Sequence, residues 1–100
     1  MNKLESKFQN ELKKELEETL EGCVVLVKPG FTLLGFPDLL ILYKDQWAAL
    51  ECKRSTHEDY QPGQEWWIGE LDGMGFASMI CPENRKEILD EIFRSFGHDR

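Results

Sequence analysis

This chain is short of histidine, cysteine and positive charge, and each shortage removes a class of function. Two histidines and three cysteines, with no Cys-x-x-Cys pair, leave no ligand set for a zinc finger or ribbon. Cys23, Cys52 and Cys81 are odd in number and each lies in or beside an apolar run, which predicts buried, reduced thiols rather than a disulfide framework. No apolar run is long enough to span a bilayer, because Lys44, Asp45 and Gln46 interrupt the longest, over residues 39–50. The opening Met1-Asn2-Lys3-Leu4-Glu5 lacks the apolar core of a secretory signal, so a cytoplasmic location is expected. Lys and Arg number 12 against 19 Asp and Glu, a net charge of −7, which argues against a simple basic surface for nucleic acid.

What the chain does have is apolar content, 41% of its 100 residues, enough for one folded domain over residues 1–100 with a modest core. The negative charge is uneven. Residues 1–22 sum to −2 (four basic, six acidic), residues 23–57 to +1 (four, three) and residues 58–100 to −6 (four, ten). The middle segment alone is not acidic, and it holds the most informative residues.

Leu4, Phe8, Leu12, Leu16 and Leu20 recur at i, i+4 spacing and predict an amphipathic first helix, closed by Gly22 as a left-handed cap. Cys23–Val27 reads as a strand ended by Lys28-Pro29-Gly30. Two apolar runs, 39–43 and 47–53, flank the polar turn Lys44-Asp45-Gln46 and predict a hairpin. Residues 54–63 are polar, end in Pro-Gly and read as a loop. A helix is expected over Gln64–Met74 with Trp67, Leu71 and Met74 on one face. A fourth strand follows over Phe76–Cys81, then a last helix from near Asn84 with Ile88, Leu89, Ile92, Phe93 and Phe96 inward. Gly97-His98-Asp99-Arg100 reads as a frayed tail. The order α-β-β-β-α-β-α defines an α/β chain built on a mixed sheet.

In the second hairpin strand Glu51 and Lys53 are two apart and share a face. Antiparallel pairing brings Asp38, at the start of the first strand, beside them to within about one residue. Two carboxylates and an amine meeting at the end of an apolar hairpin is the grouping a metal-dependent phosphodiesterase needs. Mg²⁺ takes oxygen ligands and retains several waters, so one or two carboxylates suffice, and clustered carboxylates neutralised by the ion would soften the acidity. Lys53 is a compact charge suited to orienting a nucleophile or stabilising a developing anion.

Four pieces in this order, Glu5 on the first helix, Gly35-Phe36-Pro37-Asp38, Glu51-Cys52-Lys53, and Gln64-Glu65-Trp66-Trp67 followed by Gly75, resemble the PD-(D/E)xK nuclease superfamily. Within it they are most similar to the stand-alone phage form of the virus-type replication-repair nucleases (VRR-NUC), themselves related to Holliday-junction resolvases. The resemblance spans roughly residues 4–93. It implies a restriction-endonuclease-like core in αβββαβ order and Mg²⁺- or Mn²⁺-dependent cleavage of DNA, with branched DNA in phage replication or recombination as the expected substrate. It also implies a homodimer. It assigns Asp38, Glu51, the Cys52 backbone carbonyl and Glu5 to the metal, and Gln64 to the lysine or a substrate phosphate. The first helix carries five further glutamates, of which Glu11 is the substitute for Glu5.

Trp67 reads as core; Trp66 could serve an interface, a nucleic-acid surface or the rim of the core. Lys28, Lys44, Arg54 and Lys13-Lys14 are candidate phosphate contacts. His57 reads as solvent-facing. Two active sites for two cuts suit a two-fold dimer, with Phe93 and Phe96 as candidates for its interface, although core packing explains them equally well. The competing expectation is a non-catalytic acidic interaction module on the same fold, using the −6 segment against a basic partner. Divalent-metal binding separates the two.

Overall fold

The computed structural model describes residues 3–30 and 32–98. Met1, Asn2, Phe31, Asp99 and Arg100, and the side chains of Lys3 and Leu4, lie outside the described residues. The order is α1 (Lys3–Thr19), β1 (Val24–Val27), β2 (Leu39–Tyr43), β3 (Gln46–Cys52), α2 (Gln64–Asp72), β4 (Phe76–Ile80) and α3 (Arg85–Ser95). This is the expected α-β-β-β-α-β-α mixed α/β arrangement. The strands lie side by side as β1-β2-β3-β4, antiparallel from β1 to β3 and parallel between β3 and β4. A parallel pair needs a crossover, and the segment carrying α2 supplies it.

Burial follows the residue periods. Phe8, Leu12, Leu16 and Leu20 of the first helix and its exit are buried against Val25, Leu39, Ile41 and Tyr43 of the sheet. Ile88, Leu89, Ile92, Phe93 and Phe96 complete the same core. Each such side chain contributes roughly 1.5–3 kcal/mol on burial. α2 contacts β3 and β4, whereas α1 contacts β1 and β3 and α3 contacts β4. The central strand β3 is therefore buried along Ala48–Cys52. Cys52 and Cys81 are buried free thiols and Cys23 is partly buried. No helix among the described residues is long and apolar enough to cross a membrane.

Two expectations change, those for Met74 and for the C-terminal residues, and two open readings are settled, the turn length and the place of Phe93 and Phe96. The hairpin turn is two residues long, since Tyr43 pairs with Gln46, and Lys44 takes a positive φ of 56° within it. Phe93 and Phe96 are 1% and 7% exposed, with Phe96 stacked on Tyr43 at 5.6 Å, so the core uses them and neither is free for an interface. Met74 lies beyond α2 and is 68% exposed, because the helix ends at Asp72. Gly97 and His98 are not frayed. Their N–H groups donate to the carbonyls of Arg94 and Phe93 at 3.0 and 2.8 Å, which closes α3 in the left-handed manner a glycine permits.

Candidate active site

The register of the hairpin assembles the site. Leu39 faces Leu50, so one step further Asp38 faces Glu51. Asp38 Oδ2 accepts the Cys52 backbone N–H at 3.0 Å, and Oδ1 accepts the Lys28 ammonium at 3.1 Å. Lys28 leaves β1 at φ 52°, and its own N–H donates to the Asp38 carbonyl. Within a strand the N–H and C=O of one residue point to the same side. The Cys52 carbonyl is thus directed toward Asp38, past the end of β2.

Glu51 is only 3% exposed. Its Oε2 accepts Gln64 Nε2–H at 2.8 Å and lies 3.9 Å from Lys53 Nζ. Its Oε1 is buried and has no hydrogen-bond partner among the described residues, a costly condition for a carboxylate oxygen. Burial, first, and the charge of Asp38, second, push the Glu51 carboxyl from its ordinary 4.5 up to about 8, against the opposing pull of Lys53 and Lys28. With both carboxyls ionised neither can donate to the other; a proton on one of them allows them to bond.

Lys53 is 2% exposed. Its Nζ donates to Gln64 Oε1 at 2.6 Å and to the Asp59 carbonyl at 3.1 Å, and lies 3.7 Å from Glu58 Oε2. Gln64 is the bridge, giving its NH₂ to Glu51 and its oxygen to Lys53. Removing it with Gln64→Ala leaves the buried Glu51 and Lys53 each short of a partner and is expected to lower stability by about 1–3 kcal/mol, read as a fall in Tm.

Backbone contact places Gln64. Gly35 has φ +81°, and a Cβ there would meet the Gly63 carbonyl carbon at 2.5 Å. Trp67 Nε1–H donates to the Leu34 carbonyl at 3.0 Å, and its ring meets Phe36 edge-on at 4.9 Å. The loop ahead of Asp38 is in this way tied to the first turn of α2. Trp67 clamps that loop rather than filling the main core, while Trp66 is 61% exposed. Gly35→Ala is expected to lower stability by about 1–3 kcal/mol, read as a fall in Tm with a parallel loss of site function.

Glu5 comes from α1 and lines a cavity of about 250 Å³ with Lys7, Phe8, Glu11, Lys53, Arg54 and Pro82. Its Oε1 lies 3.9 Å from Arg54 Nε. Glu11 borders the same cavity, and Arg85 holds its carboxylate at 3.2 Å. Most of the candidate phosphate contacts are already paired: Lys13 with Glu17, Lys28 with Asp38, and Arg54 with Glu58. Lys44 sits over the Tyr43 ring, and His57 is exposed.

Sequence reasoning missed Glu58. Burial pushes its carboxyl up, but hydrogen bonds from the Arg54 backbone and guanidinium, with the charge of Lys53, outweigh that and hold it below the usual range. A single acidic residue in a polar loop carries no pattern to mark it. The place of Lys28 beside Asp38 was equally hidden, since it depends on β1 pairing with β2.

Among the described residues no three His, Cys, Asp or Glu side chains form a group that could hold a metal ion. The donor set is instead two carboxylates and a carbonyl, which suits an ion that keeps most of its water. The unpartnered Oε1 of a glutamate set opposite Asp38 fits such a cation, because a divalent charge there would satisfy that oxygen and offset the burial and the Asp38 charge that push the Glu51 carboxyl up. No protein-family model, curated protein or solved structure matches the chain.

Proposed function

We propose that the protein is a metal-dependent phosphodiesterase. More particularly, we read it as a small DNA endonuclease of the virus-type replication-repair kind, acting on branched DNA. One observation carries the reading: a buried glutamate with an unsatisfied oxygen faces Asp38, and a buried lysine follows two residues on. Burying two such charges is costly for stability alone, and a merely structural hairpin end needs neither.

In this reading Asp38, Glu51 and the Cys52 carbonyl hold Mg²⁺ or Mn²⁺, with Glu5 facing them from α1. The ion would neutralise phosphate oxygens and lower the pKa of water beside the scissile bond. Lys53 presents a fixed ammonium to the phosphate, where negative charge grows as water adds to phosphorus and the bridging P–O bond breaks. Gln64 and the Asp59 carbonyl hold that ammonium in place, so little reorganisation is needed during reaction. Lys53→Arg is not expected to restore activity, because a planar fork cannot occupy the small niche of a point donor.

The test is cleavage of labelled four-way junction, flap, single-stranded and plain duplex DNA with Mg²⁺, Mn²⁺ or chelator. Metal-dependent cutting supports the reading and ranks the substrates. No cutting of any substrate, together with no Mn²⁺ binding by calorimetry, would overturn it in favour of the acidic interaction module.

A further inference from the structure

The Glu58 carboxylate is seated as a bound anion would be. Its Oε1 accepts the Arg54 backbone N–H at 2.9 Å and the Arg54 Nε–H at 3.0 Å, and its Oε2 lies 3.7 Å from the Lys53 ammonium. The rest of the fold does not use up these donors. Lys53 carries three N–H groups and, among the described residues, has two acceptors within bonding distance, Gln64 Oε1 and the Asp59 carbonyl. The carboxylates of Glu58 and Glu51, at 3.7 and 3.9 Å, are too far to take the third. Of the Arg54 guanidinium only Nε is hydrogen-bonded among the described residues.

We propose that Arg54 and Lys53 form a phosphate-binding site that the chain fills with its own Glu58, so that an incoming phosphate group must displace this carboxylate to reach Lys53. Two oxygens of a phosphate lie about as far apart as the two of a carboxylate, so a phosphate can span the same donors. It also brings further oxygens for the Lys53 and Arg54 N–H groups that Glu58 leaves unused, in charge-assisted bonds. Room lies against the same pair, since both residues line the cavity of about 250 Å³ beside α1. The loop does not depend on Glu58 for its path. Glu83 accepts the Thr56 N–H and Oγ–H at 3.1 and 3.2 Å, and Gln64 Oε1 accepts the Gln61 N–H at 2.6 Å. The carboxylate can therefore leave by rotation of its own side chain.

This site deepens the nuclease reading and rests on it only for the source of the phosphate, a DNA strand; free phosphate would use the same donors. In that reading Glu58 is a plug that keeps the buried ammonium compensated until a strand arrives. Chloride is a single point of charge and cannot bridge donors placed on both sides of a carboxylate, so it is a poor competitor.

The experiment is thermal unfolding in chelator, in sodium phosphate and in sodium chloride of equal ionic strength, for the wild type, E58A, E58Q and D59N. D59N removes the same charge from the exposed neighbour and controls for net charge. E58Q keeps an acceptor for Arg54 and serves where E58A loses its fold. Phosphate should raise the Tm of E58A by about 4 °C more than that of the wild type; E58Q should show a smaller gain of the same sign, and D59N none. A gain in the folded Glu58 variants no larger than in the wild type, or one matched by D59N, sinks the proposal. Anisotropy of a labelled oligodeoxynucleotide, also in chelator, identifies the source. Binding to E58A tighter by about tenfold assigns the site to a DNA strand, and unchanged binding beside an intact phosphate gain assigns it to free phosphate. With no metal present, a phosphate gain without metal-dependent cutting keeps the site and removes the nuclease.

Discussion

Asp38→Asn is expected to abolish metal-dependent DNA cleavage, lowering the rate by about a thousandfold or more, while the fold survives. The side chain does two jobs that this substitution separates. As an acceptor for the Cys52 N–H at 3.0 Å it ties the end of β2 to β3, and an asparagine oxygen can keep that bond. As an anion beside Glu51 it supplies half of the charge that would hold a divalent ion, and an amide cannot. The variant should therefore keep its Tm in chelator but lack the rise in Tm expected of the wild type with Mn²⁺, because a ligand stabilises only the state it binds. A variant that still cuts at near wild-type rate would remove Asp38 from the metal site. Its Lys28 partner adds a further expectation: with Asp38 neutral, the 3.1 Å ion pair is lost. At 45% and 15% side-chain exposure that pair is worth little to stability.

Glu51→Gln should have two opposite effects, loss of cleavage and a gain in stability. The folded carboxyl sits near 8 against 4.5 for an ordinary one, so the fold holds a proton that the unfolded chain releases. Relative stability from this group is complete below pH 4.5 and is lost as pH rises through 8, each unit of that window costing about 1.4 kcal/mol. Metal-free wild type should accordingly weaken from pH 5 to pH 9, and Glu51→Gln should flatten that decline. An amide is neutral at every pH and can donate to Asp38, where a carboxylate only repels. At pH 8–9 the variant's Tm should exceed that of the metal-free wild type by several degrees. Divalent metal should reverse the order, stabilising the wild type increasingly with pH because its proton must leave before the ion binds. Parallel pH–Tm curves for the two proteins without metal would show that Glu51 ionises normally in the fold.

The meeting of these two carboxylates is legible in the sequence because it depends on short-range rules. Period-two alternation puts Glu51 and Lys53 on one face, and a hairpin closed by two or three residues cannot carry Asp38 far from them. The inward sides of α1 and α3 are legible for the same kind of reason, a 3.6-residue period in Leu12, Leu16, Ile88 and Ile92. Where the sequence misleads, the deciding contact comes from far along the chain. Trp67 has helical spacing to Leu71, which predicts a core position, yet the Leu34 carbonyl, 33 residues earlier, draws its indole N–H outward.

The sequence by itself determined the order of elements, the buried faces of the helices and the meeting of Asp38 with Glu51 and Lys53, since local periodicity and a tight turn leave few alternatives. Tertiary structure alone decided that Arg85 in α3 takes the Glu11 carboxylate at 3.2 Å, while Glu5 lies 3.9 Å from Arg54 Nε. It decided that Glu58 lies 3.7 Å from the Lys53 ammonium, through a loop whose path no pattern encodes. It also made β1 and β4 the two edges of the sheet, because which strand becomes an edge depends on how the whole sheet is assembled, and no residue in the strand itself carries that information.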